Sequence, residues 1–235
     1  MKKDSRGVYN RFIKRALDCL LSLFLLIILS PVLAILAILV RINLGSPVIF
    51  RQERPGLQEK IFTLKKFRTM LPSQTRDGRI ISDKERTELI TQGVDVLSDE
   101  ERLTKFGRFL RATSLDEIPE LWNIFVGEMS FVGPRPLSTA YLPYYNDYEK
   151  HRHDVRPGLT GLAQVNGRNS ATWEDRFRYD VEYSKNVSFM NDVKILFKTV
   201  LVVLNHKDIG QGNDIPESFH VVRQKEWDSE KEKQA

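Results

Sequence analysis

Two adjacent carboxylates, Asp116 and Glu117, are the residues whose type and spacing best suit chemistry in this sequence. Pro119 follows at once, and because proline is best tolerated in the first turn of a helix, we expect a helix from Glu120 onward. The acid pair then lies at the positive end of the helix dipole. Carboxylates beside a phosphate can hold Mg²⁺, and a carboxylate can also act as a nucleophile that forms an acyl phosphate.

A purely structural role is the alternative for the same residues. Residues 114–117 read Ser-Leu-Asp-Glu and fit a capping box, in which serine and glutamate each bond the other's backbone N–H. Pro119 weakens this interpretation, because it would interrupt the early hydrogen bonds of a helix that is capped at Ser114. The surroundings of the pair must therefore decide between the two roles.

Arginines accompany the segments that are suited to bind a ligand. Arg111 precedes the acid pair, Arg135 lies in the Gly-Pro-Arg-Pro segment, and Arg168 ends a glycine-rich loop over 156–168. The guanidinium group binds phosphate oxygens through two hydrogen bonds at once, and three such groups exceed the need of one monophosphate. The loop lacks the P-loop pattern. Together these residues favour phosphate chemistry.

An uncharged run over 19–40 indicates a segment that lies in a membrane. As one straight helix it would measure roughly 33 Å, enough to cross a bilayer. Ser30 and Pro31 stand near its middle, however, and each half is too short to cross alone. Because basic residues flank both ends, the positive-inside rule keeps both ends in the cytoplasm. We therefore predict a re-entrant anchor over 1–44; a kinked transmembrane helix is the alternative.

The rest of the chain predicts an α+β fold that is mostly helical. Strand candidates at 48–50 and 60–65 flank a turn and predict a short β-hairpin. Lys66, which follows it, suits contact with lipid headgroups or with a substrate phosphate. We expect a catalytic domain over 45–205, lying on the membrane, and a charged C-terminal tail over 206–235, which we expect to fray after Phe219.

Apolar and capping patterns predict further helices. They indicate a polar insertion with short helices over 71–104, and helices over 105–110, 173–183 and 190–204. Asp192 stands near the start of the last of these, where capping is its default role.

The overall charge and the cysteine content limit the function classes. Lysine and arginine number 36 against 31 acidic residues, and the net charge of +5 suits a phosphate ligand or a membrane surface. No nucleic acid is predicted as a partner, because zinc-finger spacing, a basic zipper and an RNA-binding aromatic motif are all missing. The one cysteine, Cys19, excludes an internal disulfide and a cysteine-rich zinc site.

Five motifs, in order, resemble those of the bacterial monotopic phosphoglycosyl transferases. They are FRQERPG at 50–56, KFRTM at 66–70, SLDEIPEL at 114–121, FVGPRPL at 131–137 and RPGLTGLAQVNGR at 156–168. Within this bacterial sugar transferase family, the chain resembles the small members. The resemblance implies transfer of a sugar-1-phosphate from a UDP-sugar to polyprenyl (undecaprenyl) phosphate, with release of UMP, as the step that initiates glycan biosynthesis.

The resemblance also implies a role for individual residues. Asp116 matches the nucleophile that forms an aspartyl-phosphosugar intermediate, and Glu117 its partner, associated with Mg²⁺. Ser30-Pro31 match the break in the family's re-entrant helix. Further matched positions are linked to substrate binding: Arg111, Arg135 and Pro136 to phosphate and polyprenyl phosphate, Arg168 to the nucleotide-sugar, and Asp192 to a family aspartate without an assigned task.

The implied partners follow from the same resemblance. By similarity to the small members, the donor is a UDP-linked N-acetylated hexosamine or diamino sugar, and the cofactor is Mg²⁺. The implied location is the cytoplasmic face of the bacterial inner membrane, with a monotopic anchor in the lipid. One-step transfer without a covalent intermediate and a non-catalytic membrane scaffold remain alternatives. A glycosyltransferase that releases UDP is disfavoured, because no Asp-x-Asp motif is found.

Overall fold

The computed structural model describes residues 8–167, 171–204 and 218–234 and shows a mostly helical protein with two small sheets. The α-helices of these ranges are α1 (Lys14–Ile28), α2 (Ser30–Leu44), α3 (Asp83–Thr91), α4 (Asp99–Arg102), α5 (Lys105–Ala112), α6 (Glu120–Val126), α7 (Leu162–Gly167), α8 (Trp173–Lys185), α9 (Phe189–Leu204) and α10 (Phe219–Gln234). The strands are β1 (Ile49–Pro55), β2 (Ile61–Phe67), β3 (Ser130–Val132) and β4 (Gly158–Thr160).

The chain divides into two compact units. The first contains the described residues up to 27, the hairpin tip Gln52–Leu64 and the chain from 120 onward. The second contains Ile28–Arg51 and Lys65–Pro119. The predicted hairpin is confirmed as the β1–β2 sheet. Its tip belongs to the first unit.

The core of the second unit is built on one face of α2. Leu36, Val40 and Leu44 recur at every fourth position, so they share a face of the helix. They pack with Phe67 at the end of β2 and Leu110 of α5 in one buried cluster. This cluster supports the turn that carries the two adjacent carboxylates, because Leu115 and Ile118 pack against it.

The polar insertion over 71–104 folds as predicted into short capped helices. The hydroxyl of Ser82 accepts a hydrogen bond from the backbone N–H of Glu85 at the start of α3. At the start of α4, Ser98 and Glu101 form a complete capping box.

In the first unit, β3 and β4 form a parallel pair, which the sequence did not predict. Ser130 lies opposite Gly158, and Val132 opposite Thr160. The loop expected over 156–168 is thus wrong in part, since its first half is β4 and its second half forms α7. The pair needs its glycine: a Cβ on Gly158 would overlap the backbone of Gly133.

The C-terminal segment does not simply fray. Residues 219–234 form α10, and Phe219 is only 1% exposed. Its ring stacks on Tyr145 and meets Phe177 edge to face, with centroids 5.5 and 4.8 Å apart. Fraying was predicted because this polar helix has no periodic apolar pattern. One aromatic residue, Phe219, packs it against Tyr145 and Phe177.

Helix α1 carries its polar residues inside and its apolar residues outside. Lys14, Asp18 and Ser22 form a buried stripe, whereas Leu20 and Phe24 are more than half exposed. This is the reverse of a helix on a water-soluble domain.

The apolar N-terminal run is broken where Ser30 and Pro31 predict a break. Helix α1 ends at Ile28 and α2 begins at Ser30, with the proline in its first turn. Across residues 8–167, 171–204 and 218–234, no single helix is long and apolar enough to cross a membrane. Helices α1 and α2, which are bent by 64° at the break, are long and apolar enough to cross a membrane only when the two are taken together. The break is confirmed; its re-entrant course in a bilayer stays a prediction.

Candidate active site

Asp116 and Glu117 lie in a 3₁₀ turn, Leu115–Glu117, directly before α6. The predicted position at the start of a helix is therefore confirmed. Ser114 has a φ of 55° in the left-handed region, and its side chain makes no capping hydrogen bond. The capping-box alternative is thus wrong. A serine in this conformation carries backbone strain, and such strain is common where a chain turns to present functional groups.

The carboxyl group of Asp116 is buried and electrostatically perturbed. The residue is 8% exposed. Burial raises the pKa of Asp116 to about 6, and the neighbouring charge of Glu117 adds to the rise, whereas Lys66 and Arg111 act to lower it. The group is mostly ionised at neutral pH, yet far less stabilised as an anion than a solvated carboxylate. The positive charges of Lys66 and Arg111 favour the ionised form.

Glu117 is held by a cation from the end of β2. The Lys66 ammonium group donates to Glu117 Oε1 at 2.7 Å, and both side chains are 19% exposed. The partners are 51 positions apart in the sequence, so no local pattern could have predicted the pair. The bond fixes the direction of the Glu117 carboxylate and places a positive charge beside the acid pair.

Arg111 is oriented by a residue that sequence reasoning missed. Its Nε donates to Thr69 Oγ1 at 3.0 Å, which directs the terminal guanidinium nitrogens elsewhere. Thr69 can approach because α5 crosses it at Gly107, where any Cβ would overlap the backbone oxygen of Thr69. The threonine lies in the KFRTM motif, which was the available signal.

The structure thus brings four of the predicted site residues into one place. Asp116, Glu117, Arg111 and Lys66 all belong to the second unit. Two carboxylates lie here beside two cations. Such a group can bind a phosphoryl group and present a carboxylate oxygen to its phosphorus. This arrangement suits phosphoryl transfer to a carboxylate.

The remaining residues that were predicted to bind a substrate belong to the first unit or lie outside the described residues. Arg135 is exposed on the loop after β3, and Pro136 beside it is buried. Arg168 lies outside the described residues.

Asp192 is at the centre of a buried polar cluster. It is 5% exposed and accepts hydrogen bonds from Lys14 Nζ at 2.6 Å, Tyr9 Oη at 2.8 Å and Tyr183 Oη at 2.7 Å. These bonds join α1 to α9 and α8, which is a structural role beyond the predicted capping. Contact between Asp192 and a substrate stays a prediction.

A family model described as bacterial sugar transferase matches residues 9–206, which is most of the chain. The chain belongs to the bacterial sugar transferase family.

Known members of this family resemble the chain over most of its length. The uncharacterized sugar transferase EpsL of Bacillus subtilis is 44% identical over 203 residues, which cover 86% of this chain and 93% of EpsL. The undecaprenyl-phosphate galactose phosphotransferase of Salmonella typhimurium is 39% identical, over 83% of this chain. The UDP-glucose:undecaprenyl-phosphate glucose-1-phosphate transferase of Escherichia coli is 39% identical, over 81% of this chain. The matches span only 41% and 40% of these two longer relatives.

The acid pair has the type of ligands that a Mg²⁺ ion would require. The described residues contain no group of three or more histidine, cysteine or acidic side chains that could enclose a metal. Mg²⁺ commonly takes only one or two carboxylates and completes its shell with phosphate oxygens and water. Asp116 and Glu117 supply two such carboxylates. Burial is the main cause of the raised pKa of Asp116, and a bound cation would relieve the further rise that the charge of Glu117 causes.

Proposed function

We propose that this chain is a phosphoglycosyl transferase that moves a sugar-1-phosphate from a UDP-sugar to undecaprenyl phosphate and releases UMP. One observation carries the proposal: the buried Asp116 with a raised pKa, beside Glu117, Lys66 and Arg111. The named activities of the relatives support the substrates, because both the galactose and the glucose enzyme act with undecaprenyl phosphate.

In the first step, a carboxylate oxygen of Asp116 attacks the sugar-linked phosphorus of the UDP-sugar. The bond from this phosphorus to the bridging oxygen breaks, and its electron pair leaves with UMP. The product is an acyl phosphate that joins Asp116 to the sugar phosphate. Burial favours this attack, because a carboxylate that is poorly solvated in the resting protein loses little hydration on reacting.

The two neighbouring cations stabilise the charge that spreads over the phosphoryl oxygens. The charges of Lys66 and Arg111 act to lower the pKa of Asp116, so they would also stabilise a negatively charged phosphoryl group bonded to it. Arg111 offers a planar fork of donors, whereas Lys66 offers a point charge that Glu117 holds in place.

In the second step, a phosphate oxygen of undecaprenyl phosphate attacks the same phosphorus. The acyl phosphate bond breaks, Asp116 regains its carboxylate, and the product is undecaprenyl-diphosphate-sugar. Glu117 is placed to orient the lipid phosphate or take up its remaining proton.

Mg²⁺ is part of the proposal. Asp116 and Glu117 would hold the ion, which would neutralise phosphate charge as in other phosphoryl transfers. Removal of divalent ions with EDTA should abolish turnover, and added Mg²⁺ should restore it.

A monotopic position on the cytoplasmic face of the inner membrane is also proposed. Helices α1 and α9 of the first unit both expose large apolar side chains, which lipid would cover. Those of α9 are Phe189, Met190, Val193, Leu196, Phe197, Val200, Leu201 and Val203. A site at the height of the headgroups would meet the phosphate of undecaprenyl phosphate without drawing the lipid from the bilayer.

A panel of UDP-sugars would identify the donor sugar. The resemblance to small family members favours an N-acetylated hexosamine or a diamino sugar, whereas the two longer relatives described above are named for galactose and glucose. UMP release should therefore be measured with UDP-glucose, UDP-galactose and UDP-N-acetylated hexosamines in parallel.

The deciding experiment is mass spectrometry of the purified protein after incubation with UDP-sugar and Mg²⁺, without any lipid acceptor. We expect a phosphosugar mass increase on the peptide that contains Asp116, together with release of UMP. Asp116→Asn should give neither. UMP release that requires undecaprenyl phosphate, with no adduct, would support direct transfer in one step. The same substrates would then be used by a different mechanism.

A further inference from the structure

The Gly-Pro-Arg-Pro segment, 133–136, presents Arg135 between two prolines. Pro134 and Pro136 are buried, whereas Arg135 is exposed. A proline ring fixes φ of its own residue and also restricts the residue before it. The position of the Arg135 side chain therefore depends on how the few remaining backbone groups of this segment are held.

Strand β4 and its neighbourhood hold the first half of the segment. The N–H of Gly133 donates to the backbone oxygen of Thr160 at 2.9 Å, and the backbone oxygen of Pro134 accepts from the N–H of Gly158, also at 2.9 Å. These bonds continue the β3–β4 pair past the end of β3. They end at Pro134, so they do not fix the carbonyl group of Arg135.

A buried arginine holds that carbonyl group. Arg152 is 2% exposed, and its Nη2 donates to the backbone oxygen of Arg135 at 2.7 Å. The same nitrogen donates to Asp180 Oδ2 at 2.8 Å, and Nε donates to that oxygen at 3.1 Å. Because Nη2 has two hydrogens and uses both, the guanidinium group cannot turn without losing one of these bonds.

Helix α8 supplies the fixed end of this connection. Asp180 and Tyr183 are 4% and 3% exposed and lie about one turn apart on the helix. The Tyr183 hydroxyl lies 3.0 Å from the backbone oxygen of Val132, just before the segment. Asp180 reaches the backbone oxygen of Arg135 through Arg152. The helix thus holds the chain both before the segment and within it.

A buried ion pair is a costly way to stabilise a core. The side chains of Arg152 and Asp180 are 1% and 5% exposed, and two charges lose most of their hydration when they are buried so deeply. Apolar side chains often stabilise such a place equally well, but they cannot donate to a backbone oxygen. The pair therefore supplies what an apolar pair cannot, which is a donor of fixed direction at the carbonyl group of Arg135.

We propose that Arg152 is a positioning residue that holds Arg135 in place to bind a phosphate group of a substrate. Because Arg152 is buried, it acts through the backbone of Arg135 and not by contact with the substrate. The inference rests on the proposed function and on the phosphate-binding role that the family resemblance implies for Arg135. The diphosphate of the donor and the phosphate of the lipid acceptor both have the required chemistry.

A double-mutant cycle tests whether Arg152 acts through Arg135. Arg152→Met together with Asp180→Val replaces the buried ion pair by apolar side chains and leaves no uncompensated charge. The KM values for UDP-sugar and for undecaprenyl phosphate should be measured for this ion-pair variant, for Arg135→Met and for the combination of all three changes. Arg178→Met is the matched control, since Arg178 lies on α8 but is exposed and pairs with Asp175.

The expected effect is on one KM. Arg135→Met should raise one of the two KM values by about tenfold, as for loss of a charge-assisted hydrogen bond. The ion-pair variant should raise the same KM, with a smaller change in kcat, because a misplaced guanidinium group binds poorly. The KM that rises identifies the phosphate as that of the donor or that of the lipid. The combination should match Arg135→Met within about twofold.

Independent effects would overturn the proposal. If the two increases in KM multiply in the combined variant, or if the ion-pair variant has the KM values of the Arg178→Met control, Arg152 does not act through Arg135. A lower melting temperature and a lower kcat with both KM values unchanged would identify a purely structural role. If the ion-pair variant fails to fold, Arg152→Lys replaces it. This variant keeps the charge beside Asp180, but its chain ends one bond short of the Nη2 position, so the same KM should rise.

Pyrophosphate binding separates this proposal from the proposed function. Calorimetry on the full-length protein in detergent needs no turnover, and the same cycle applies to the dissociation constants. Binding that is weakened by Arg135→Met, and weakened no further in the combination, supports the positioning role even if no UDP-sugar is consumed. Turnover with independent effects would leave the transferase assignment intact and refute the positioning role. An Arg135→Met protein with the pyrophosphate affinity and both KM values of the control would also refute it.

Discussion

Asp116 is buried, yet it must be charged in order to react. Its environment resolves the conflict only in part, because Lys66 and Arg111 oppose a pKa rise that burial and Glu117 together cause. A carboxylate in this state is reactive but costs stability, as is common at sites where function opposes folding.

Replacement of Asp116 by asparagine should therefore abolish turnover and stabilise the protein. The pKa rise from 3.8 to about 6 sets the gain at pH 7 at up to about 3 kcal/mol. UMP release measures the loss of turnover, and denaturant unfolding measures the gain in stability. Asp147→Asn, at a fully exposed carboxylate, should leave the stability almost unchanged. Turnover by Asp116→Asn above a few per cent of wild type would refute the nucleophile.

The pH dependence follows from the same carboxyl group. Only the deprotonated form attacks phosphorus, so kcat/KM should be half-maximal near pH 6 and fall about tenfold per pH unit below that. Stability changes in the opposite direction: the folded state binds the proton more tightly than the unfolded chain, so the destabilisation is fully present above pH 6 and is lost progressively as pH falls from about 6 to 3.8. A rate profile measured from pH 5 to 8 that stays flat would contradict this assignment.

Lys66→Met should shift that profile. Loss of the ammonium group removes an interaction that lowers the pKa of Asp116, and it also leaves Glu117 without its 2.7 Å partner. We expect kcat to fall by about tenfold or more and the acidic limb to move to higher pH. Lys66→Arg should keep the limb near its wild-type position, and the exposed Lys60→Met should match the wild type throughout.

At the scale of elements, α5 is the helix that sets the position of an active-site side chain. It crosses Thr69 at Gly107 without space for a methyl group, and Thr69 in turn holds Arg111. A small shift of α5 at this contact would move Thr69 and with it Arg111. The contact is with backbone, which cannot move aside as a flexible side chain can.

Gly107→Ala should consequently damage both stability and catalysis. The new methyl group overlaps backbone, so α5 must move, at a cost of about 1–3 kcal/mol. We expect a lower melting temperature and a reduced kcat with little change in the KM for UDP-sugar. Arg108→Ala, at the next and exposed position, should affect neither. Wild-type kinetics in a destabilised Gly107→Ala protein would show that the position of Arg111 does not depend on the close contact between Gly107 and Thr69.

At the scale of the whole molecule, the inverted polarity of α1 is the main indication of a lipid environment. Buried Lys14 and Asp192 form an ion pair at 2.6 Å, while the opposite face of the helix is apolar and exposed. Water would be a poor solvent for that face, whereas the edge of a bilayer would cover it.

A re-entrant anchor predicts that both ends of the α1–α2 pair face the cytoplasm. In a protein with Cys19→Ser, single cysteines at Phe12→Cys and Arg51→Cys, both exposed positions, should react with a membrane-impermeant maleimide only from the cytoplasmic side. Right-side-out and inverted vesicles give the two comparisons. Labelling of the two positions from opposite sides would identify a kinked transmembrane helix instead.

Local signals in the sequence determined several features correctly. Pro119 placed the start of α6, Ser98 and Glu101 marked a capped helix, and Ser30-Pro31 marked the break between α1 and α2. Each depends on neighbours within one turn, where backbone sterics and short-range hydrogen bonds dominate. Five ordered motifs also identified the family, which the match over residues 9–206 confirms.

Only the tertiary structure decided how those residues meet. The burial that raises the pKa of Asp116, the bond from Lys66 to Glu117 and the contact between Thr69 and Arg111 all join residues that are distant in sequence. Burial and long-range pairing depend on how elements pack, and no periodicity within one element encodes them. The sequence therefore determined which groups are available for phosphoryl transfer, and packing decided their charge, direction and partners.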